Sequence, residues 1–268
     1  MTSKIIGVGN YIPSETITNL FFENHHFLDE KGIALKQDNA TIAGKLKEIT
    51  GIEERRYANK DQVTSDLGFI AAQEAIKNSG IDPETLDYII FAHNFGDVRA
   101  GTIQSDAVPS LAARVKHLLK IENNYCVAYD VLFGCPGWIE GVIQANAFIK
   151  SGIAKRCLVI GAETLSRVVD MHDRDSMIYA DGAGAAVLEI NEGDAGIKSH
   201  LSASHTLNEK DYLFFGKSYN QESCDDVKYI KMIGRKIYEF ALSNVPTAMK
   251  KCFDDSGYSI DQLNKIII

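Results

Sequence analysis

Gly134-Cys135-Pro136-Gly137 holds the side chain of this sequence best placed for covalent chemistry. Before it, the run from Tyr125 to Val131 is apolar and β-branched, as a buried strand requires. After it, Ile139, Val142, Ile143, Ala147 and Ile149 recur close to helical spacing. Strand, tight turn and helix in that order make a nucleophile elbow, which lifts one side chain above the sheet at the start of the helix. There the positive end of the helix dipole and the unpaired N–H groups of the first turn favour a thiolate. The same N–H groups can take up the oxyanion formed when that thiolate attacks a carbonyl. A cysteine buried for packing alone needs neither a glycine before it nor Pro-Gly after it. Pro136 suits the first helical position, where its missing N–H costs nothing, and the glycines permit a sharp turn.

The other residues with chemical potential are weaker. Five cysteines, an odd number without paired spacing, fit neither a disulfide framework nor a zinc site, so Cys126, Cys157, Cys224 and Cys252 are expected to serve packing. Asn24-His25-His26 is expected on the surface, and no further ligands accompany it. Gly7-x-Gly9 follows a strand, but Ile12 stands where a third glycine is needed and Pro13 breaks the helix of a dinucleotide loop. Asp181-Gly182-Ala183-Gly184 reads as backbone packed closely between central strands, with no phosphate to hold, and Trp138 reads as core.

Composition narrows the class. With 268 residues, 45% hydrophobic and 24% charged, the chain can build a large core without disulfide or metal support. A formal net charge of −8 argues against nucleic acid as the main partner. The N-terminus lacks the pattern of a secretion signal and no apolar run is long enough for a membrane span, so a cytoplasmic protein with no membrane partner is expected.

The elements that must position Cys135 follow from periodicity. A short strand over residues 4–8 leads to an amphipathic, locally helical region over 14–48 and a charged turn at 51–56. A helix over 64–79, capped by Thr64 or Ser65 and stopped by Gly80, precedes a buried strand at 86–92. A polar loop at 94–107, a helix at 109–119, the elbow, and a fourth apolar strand at 156–161 complete the pattern. Such alternation predicts a mostly parallel α/β sheet covered on both faces. One unit recurs: a helix ending in Ser79-Gly80 is followed by Leu86-Asp-Tyr-Ile-Ile, and a helix ending at Ser256-Gly257 is followed at the same spacing by Leu263-Asn-Lys-Ile-Ile. The repeat predicts a duplicated fold whose second copy stops at its first strand, so that the sequence reads as the front part of a longer protein.

Several segments together resemble the 3-oxoacyl-(acyl-carrier-protein) synthase III group of condensing enzymes, in the thiolase-fold superfamily. They are Gly51-Ile-Glu-Glu-Arg-Arg56, residues 67–92, Pro109-Ser-Leu-Ala, residues 130–137 around Cys135, Ser151-Gly152, Gly161-Ala-Glu163, Asp173-Arg174, residues 180–188 and residues 232–240. The resemblance implies two similar α-β-α-β-α halves. Residues 1–175 are then the half carrying the nucleophile, and residues 176–268 a strand and hairpin region with the first part of an incomplete second half. It implies that Cys135 is acylated by a thioester and that the acyl group then condenses with a malonyl thioester losing carbon dioxide. The family's His and Asn lie beyond this sequence, and none of His25, His26, His93, His117, His172, His200 or His205 matches the former. Arg174 matches a coenzyme-contacting arginine, whereas Lys45 and Ile49 stand where a coenzyme-gripping Trp and Arg are usual, which favours a carrier-protein donor. Implied substrates are coenzyme A or acyl-carrier-protein phosphopantetheine thioesters, with no tightly bound cofactor, no metal and a homodimeric assembly. Two alternatives keep the same turn: a hydroxymethylglutaryl-type or other non-decarboxylating acyl transfer, disfavoured by His93-Asn94 where a Glu is wanted, and a catalytically silent subunit, disfavoured by the intact Cys135.

Overall fold

The computed structural model describes residues 2–223 and 226–267. Cys224 and Ile268, which bear on the readings above, lie outside the described residues. In chain order the elements are β1 (Thr2–Tyr11), β2 (Glu15–Thr18), α1 (Asn39–Thr50), β3 (Glu54–Tyr57), α2 (Thr64–Ser79), β4 (Tyr88–Ala92), β5 (Asp97–Val98), β6 (Ser105–Asp106), α3 (Leu111–Leu118), β7 (Val127–Val131), α4 (Gly137–Lys150), β8 (Arg156–Thr164), β9 (Asp181–Asn191), β10 (Leu213–Lys217), β11 (Lys228–Met232) and α5 (Gly234–Asp255).

Five strands form the main sheet in the order β1-β9-β8-β4-β7. β4 pairs in parallel with both β7 and β8, while β9 runs antiparallel to β8 and to β1. The sheet is therefore mixed rather than mostly parallel. Between β8 and β9 the chain makes only short 3-10 turns, at Leu165–Arg167 and Arg174–Ile178, and no helix carries it back across the sheet. β9, which follows residue 175, pairs inside this same sheet between β8 and β1.

Alternation along the strands feeds two cores. Ile89, Phe91, Leu158, Ile160 and Val187 face α2 and α3, and Ile90, Cys157, Val159, Ala186 and Leu188 face α4. α4 can lie close because it presents Gly141 to β8, where a Cβ would come within 2.8 Å of Val159. Cys126 and Cys157 are buried packing residues, and burial pushes their thiols up to about 11 and about 12, which keeps them unreactive. Cys252 is half-buried.

Residues 14–48 depart from the helical expectation. β2, with β-branched Thr16, Ile17 and Thr18, pairs with β3, so the charged turn at 51–56 runs on into a strand. Arg55 is buried there, donating to Ile17 O and Asn19 Oδ1 and lying 5.0 Å from the centre of the Phe22 ring. Only α1 is a regular helix, begun where Asp38 accepts from Thr41 N–H. The apolar residues that mimic a longer helix, Phe22 and Phe27, join Ile42 and Met177 in a small separate core.

α2 is capped one residue earlier than expected. Its N-cap is Val63, whose N–H donates to the Asp66 carboxylate. Thr64 and Ser65 instead bond outward, to Thr164 and Asp97. The loop after β4 contains the small β5-β6 pair, held to α3 by Arg114 through Asp97 (2.6 Å) and Asp106 (2.7 Å). β10 and β11 form a hairpin anchored by buried Lys231, which donates to Asp170 (2.5 Å) and Asp173 (3.1 Å) beneath the Tyr219 ring. In the repeat, α5 and Gly257 match α2 and Gly80, but residues 263–267 are exposed and form no strand. A strand requires a ladder partner, and among the described residues none lies beside them. No described helix is long and apolar enough to cross a membrane.

Candidate active site

The elbow closes as its sequence demands. β7 ends at Val131, Gly134 takes a φ of +91° that only glycine adopts freely, and Gly137 N–H donates to Gly134 O at 2.9 Å. Pro136 is the N-cap and Gly137 the first helical residue, one place later than expected for the proline. Gly137 itself rests on Ala92, so the turn is pressed against the end of β4. Cys135 is exposed at the start of α4 and opens into a cleft of about 530 Å³.

Three features of this cleft come from residues to which sequence alone gave no role or a different one. Trp138 is half-buried and forms a wall as well as packing on the core, because Gly161 on β8 leaves it room. A Cβ there would sit 2.9 Å from Trp138 Cβ. Gly182 and Gly184 are not closely packed backbone. No atom approaches a Cβ at Gly184 within 4 Å, and the nearest at Gly182 is Tyr11 O at 3.6 Å. They line the cleft and keep that part of it free of side chains. Glu163 also lines it, with Oε2 accepting from Asn94 N–H (2.7 Å) and Asn94 Nδ2 (3.0 Å). Burial pushes the Glu163 carboxyl up, against the lowering effect of the Asn94 donors.

His93 reaches the cleft but is fully engaged elsewhere. Gly96 N–H donates to its Nδ1 at 3.0 Å, so the ring proton sits on Nε2 and goes to Asp130 Oδ2 at 2.9 Å. Asp130 also accepts from Leu111 N–H and Ala112 N–H at the start of α3. This buried pair fastens β4, β7 and α3 together behind the elbow, and neither ring nitrogen is left to serve Cys135.

Arg174 lies apart from Cys135, in a groove of about 410 Å³ bounded by α1, residues 174–178 and the start of α5. Lys45 and Ile49 line the same groove, so the three positions singled out for a coenzyme are neighbours in space. Burial pushes the phenol of Tyr179 up, as do Asp175, Asp173 and Cys135. A larger cavity, about 700 Å³, sits between α2 and α3 around Arg114, whose guanidinium is already paired with two carboxylates. No group of His, Cys, Asp and Glu among the described residues is arranged to hold a metal.

Comparison with known proteins bears on the fold and the family. The family described as 3-oxoacyl-[acyl-carrier-protein (ACP)] synthase III matches residues 129–205, which include the elbow, β8 and β9. The β-ketoacyl-[acyl-carrier-protein] synthase III of Erythrobacter litoralis is 33% identical over 99% of this chain and 76% of its own length, and that of Neisseria meningitidis serogroup B is equally similar over the same shares. Among solved structures, β-ketoacyl-[acyl carrier protein] synthase III from Thermus thermophilus superposes with a TM-score of 0.77 at 28% identity, covering 97% of this chain and 74% of that one. The thiolase-type α/β architecture, the intact cysteine elbow and similarity along nearly the whole chain lead to one conclusion: this chain belongs to the 3-oxoacyl-[acyl-carrier-protein] synthase III family of condensing acyltransferases.

Proposed function

We propose that Cys135 is the acyl-carrying nucleophile of a decarboxylative condensation. The observation that carries this reading is the exposed thiol at the start of α4, opening into the cleft beneath Trp138 and Gly184. The thiolate sulfur attacks the carbonyl carbon of an acyl thioester, a new C–S bond forms, and the departing thiolate takes up the proton that the thiol gave away. N–H groups at the start of α4 stabilise the oxyanion of that step. The acyl-enzyme then meets a malonyl thioester. Loss of carbon dioxide leaves a carbanion that attacks the acyl carbon, and the Cys135 C–S bond breaks. No residue of this chain is assigned to the decarboxylating step.

The donors are coenzyme A or acyl-carrier-protein phosphopantetheine thioesters, with Arg174 as a phosphate contact in its groove. A homodimer formed through the β7 edge of the sheet fits the exposure of Tyr125, Val127, Leu132 and Phe133 along it. A cytoplasmic setting suits the exposed free thiol of Cys135. A second reading, condensation without decarboxylation, draws on Glu163, whose carboxyl sits against Asn94 beyond the end of β4. Incubating the acylated protein with a malonyl thioester carrying a labelled free carboxyl separates the two. Release of labelled carbon dioxide supports the first reading, and product formed with the label retained supports the second.

A further inference from the structure

The groove around Arg174 gathers cations over an apolar floor. Lys45 comes from α1, Arg174 from the turn before β9 and Arg235 from the first turn of α5, with Leu46 and Met177 beneath. Lys45 makes no ion pair among the described residues, and Arg235 pairs along its own helix with Glu239 at 2.8 Å. Amid these cations stands a single carboxylate, Asp175. Its ion pair with Arg174 is long, with Arg174 Nε 3.9 Å from Asp175 Oδ1. Its backbone is fixed by the bond from Asp175 N–H to Asp173 Oδ1, and its Oδ2 faces Gly234, where a Cβ would lie 3.8 Å away. Asp175 is therefore held at the seam between residues 174–178 and α5, at the margin of the groove, with only a long ion pair to Arg174.

Three cations suit an anionic ligand, and one carboxylate in their midst penalises each phosphate brought close. Coenzyme A carries a diphosphate and a further phosphate on its nucleotide, a carrier protein presents one phosphodiester, and pantetheine carries none. We propose that Asp175 is a specificity-determining residue that weakens binding of the nucleotide end of coenzyme A and so biases the enzyme toward carrier-protein donors. This rests on the reading that the groove receives the donor. The groups facing Asp175 are Asp173 in its own segment, Lys231 on β11, Tyr179, Arg174, and Lys45 and Arg235 across the groove. Burial and then Asp173 push its carboxyl up to about 6, opposed by Arg174 and Lys231. The penalty is present at neutral pH and vanishes in mild acid.

The test compares wild type with Asp175→Asn, measuring the second-order rate of Cys135 acylation by acetyl-coenzyme A and by acetyl-pantetheine. At about pH 8 the variant gains about fivefold with acetyl-coenzyme A, as expected for removing one partly screened charge near a phosphate. It gains nothing with acetyl-pantetheine. At about pH 5, with the wild-type carboxyl protonated, the two proteins agree. Asp175→Ser, which also removes the charge, repeats the pattern. Equal gains with both donors, a gain that persists in acid, a gain in only one variant, or no gain overturns the proposal. Calorimetric affinity for coenzyme A itself follows the same pattern without any acylation, so failure of Cys135 to acylate counts against the acyl-enzyme and leaves this test intact.

Discussion

At the residue scale, the elbow that carries Cys135 was legible because its geometry is local: four consecutive residues between a strand and a helix define it. What surrounds it was not. The Glu163–Asn94 and His93–Asp130 contacts join positions 69 and 37 residues apart, and no local spacing announces them. The roles of Gly161 and Gly184 became visible only with strand register, which puts both on the α4 face beside Trp138. Because Gly184 opens the cleft, Gly184→Val is expected to lower the rate of Cys135 acylation by about tenfold or more while the fold, read by circular dichroism, is retained. Unchanged acylation contradicts that account of the glycine. His93 is a fastening rather than a base, so His93→Ala costs about 2 kcal/mol of stability in chemical denaturation, from the buried Gly96 N–H left unpaired and the link to Asp130 lost. Reactivity of the Cys135 thiol toward an alkylating agent keeps its pH midpoint in that variant, whereas a shifted midpoint marks His93 as the base.

At the element scale, the strongly periodic pieces were read correctly and the region before them was not. α2, β4, α4 and β8 each carry a long apolar pattern of one period. Residues 14–48 mix β-branched strand residues with aromatic residues of the small core around Phe22, and tertiary pairing of β2 with β3 outweighs local helical preference. The antiparallel direction of β9 was not legible because it depends on the connection from β8, which carries no helix. The β10-β11 hairpin rests on Lys231. Lys231→Ala leaves Asp170 and Asp173 buried without their cation, and a loss of about 3 kcal/mol is expected in denaturant unfolding. A loss below about 0.5 kcal/mol means the hairpin is held by other contacts. Asp175, which lies beside it, has a folded-state carboxyl raised to about 6. A raised carboxyl favours the folded state below its unfolded pKa, and that contribution is lost as pH rises through about 6. Asp175→Asn therefore raises Tm by a few degrees at neutral pH, by less as pH falls through about 6, and leaves it unchanged only below the unfolded value of 3.8.

At the scale of the molecule, the sequence conveyed the thiolase-type class through dispersed short segments, and the likeness to solved structures extends over 97% of the chain. The sheet leaves β7 at an edge with Tyr125 and Val127 exposed, so, for the homodimer proposed through that edge, Val127→Lys is expected to give monomer in sedimentation at micromolar concentration. An unchanged sedimentation coefficient rules out that edge as the interface. The proposed condensation depends on one covalent event. Peptide mass spectrometry after incubation with an acyl thioester tests it most directly. One acyl group per chain on the peptide containing Cys135, absent in Cys135→Ala, is the predicted result. An unmodified Cys135, or the acyl group on Cys126, Cys157 or Cys252, contradicts the assignment.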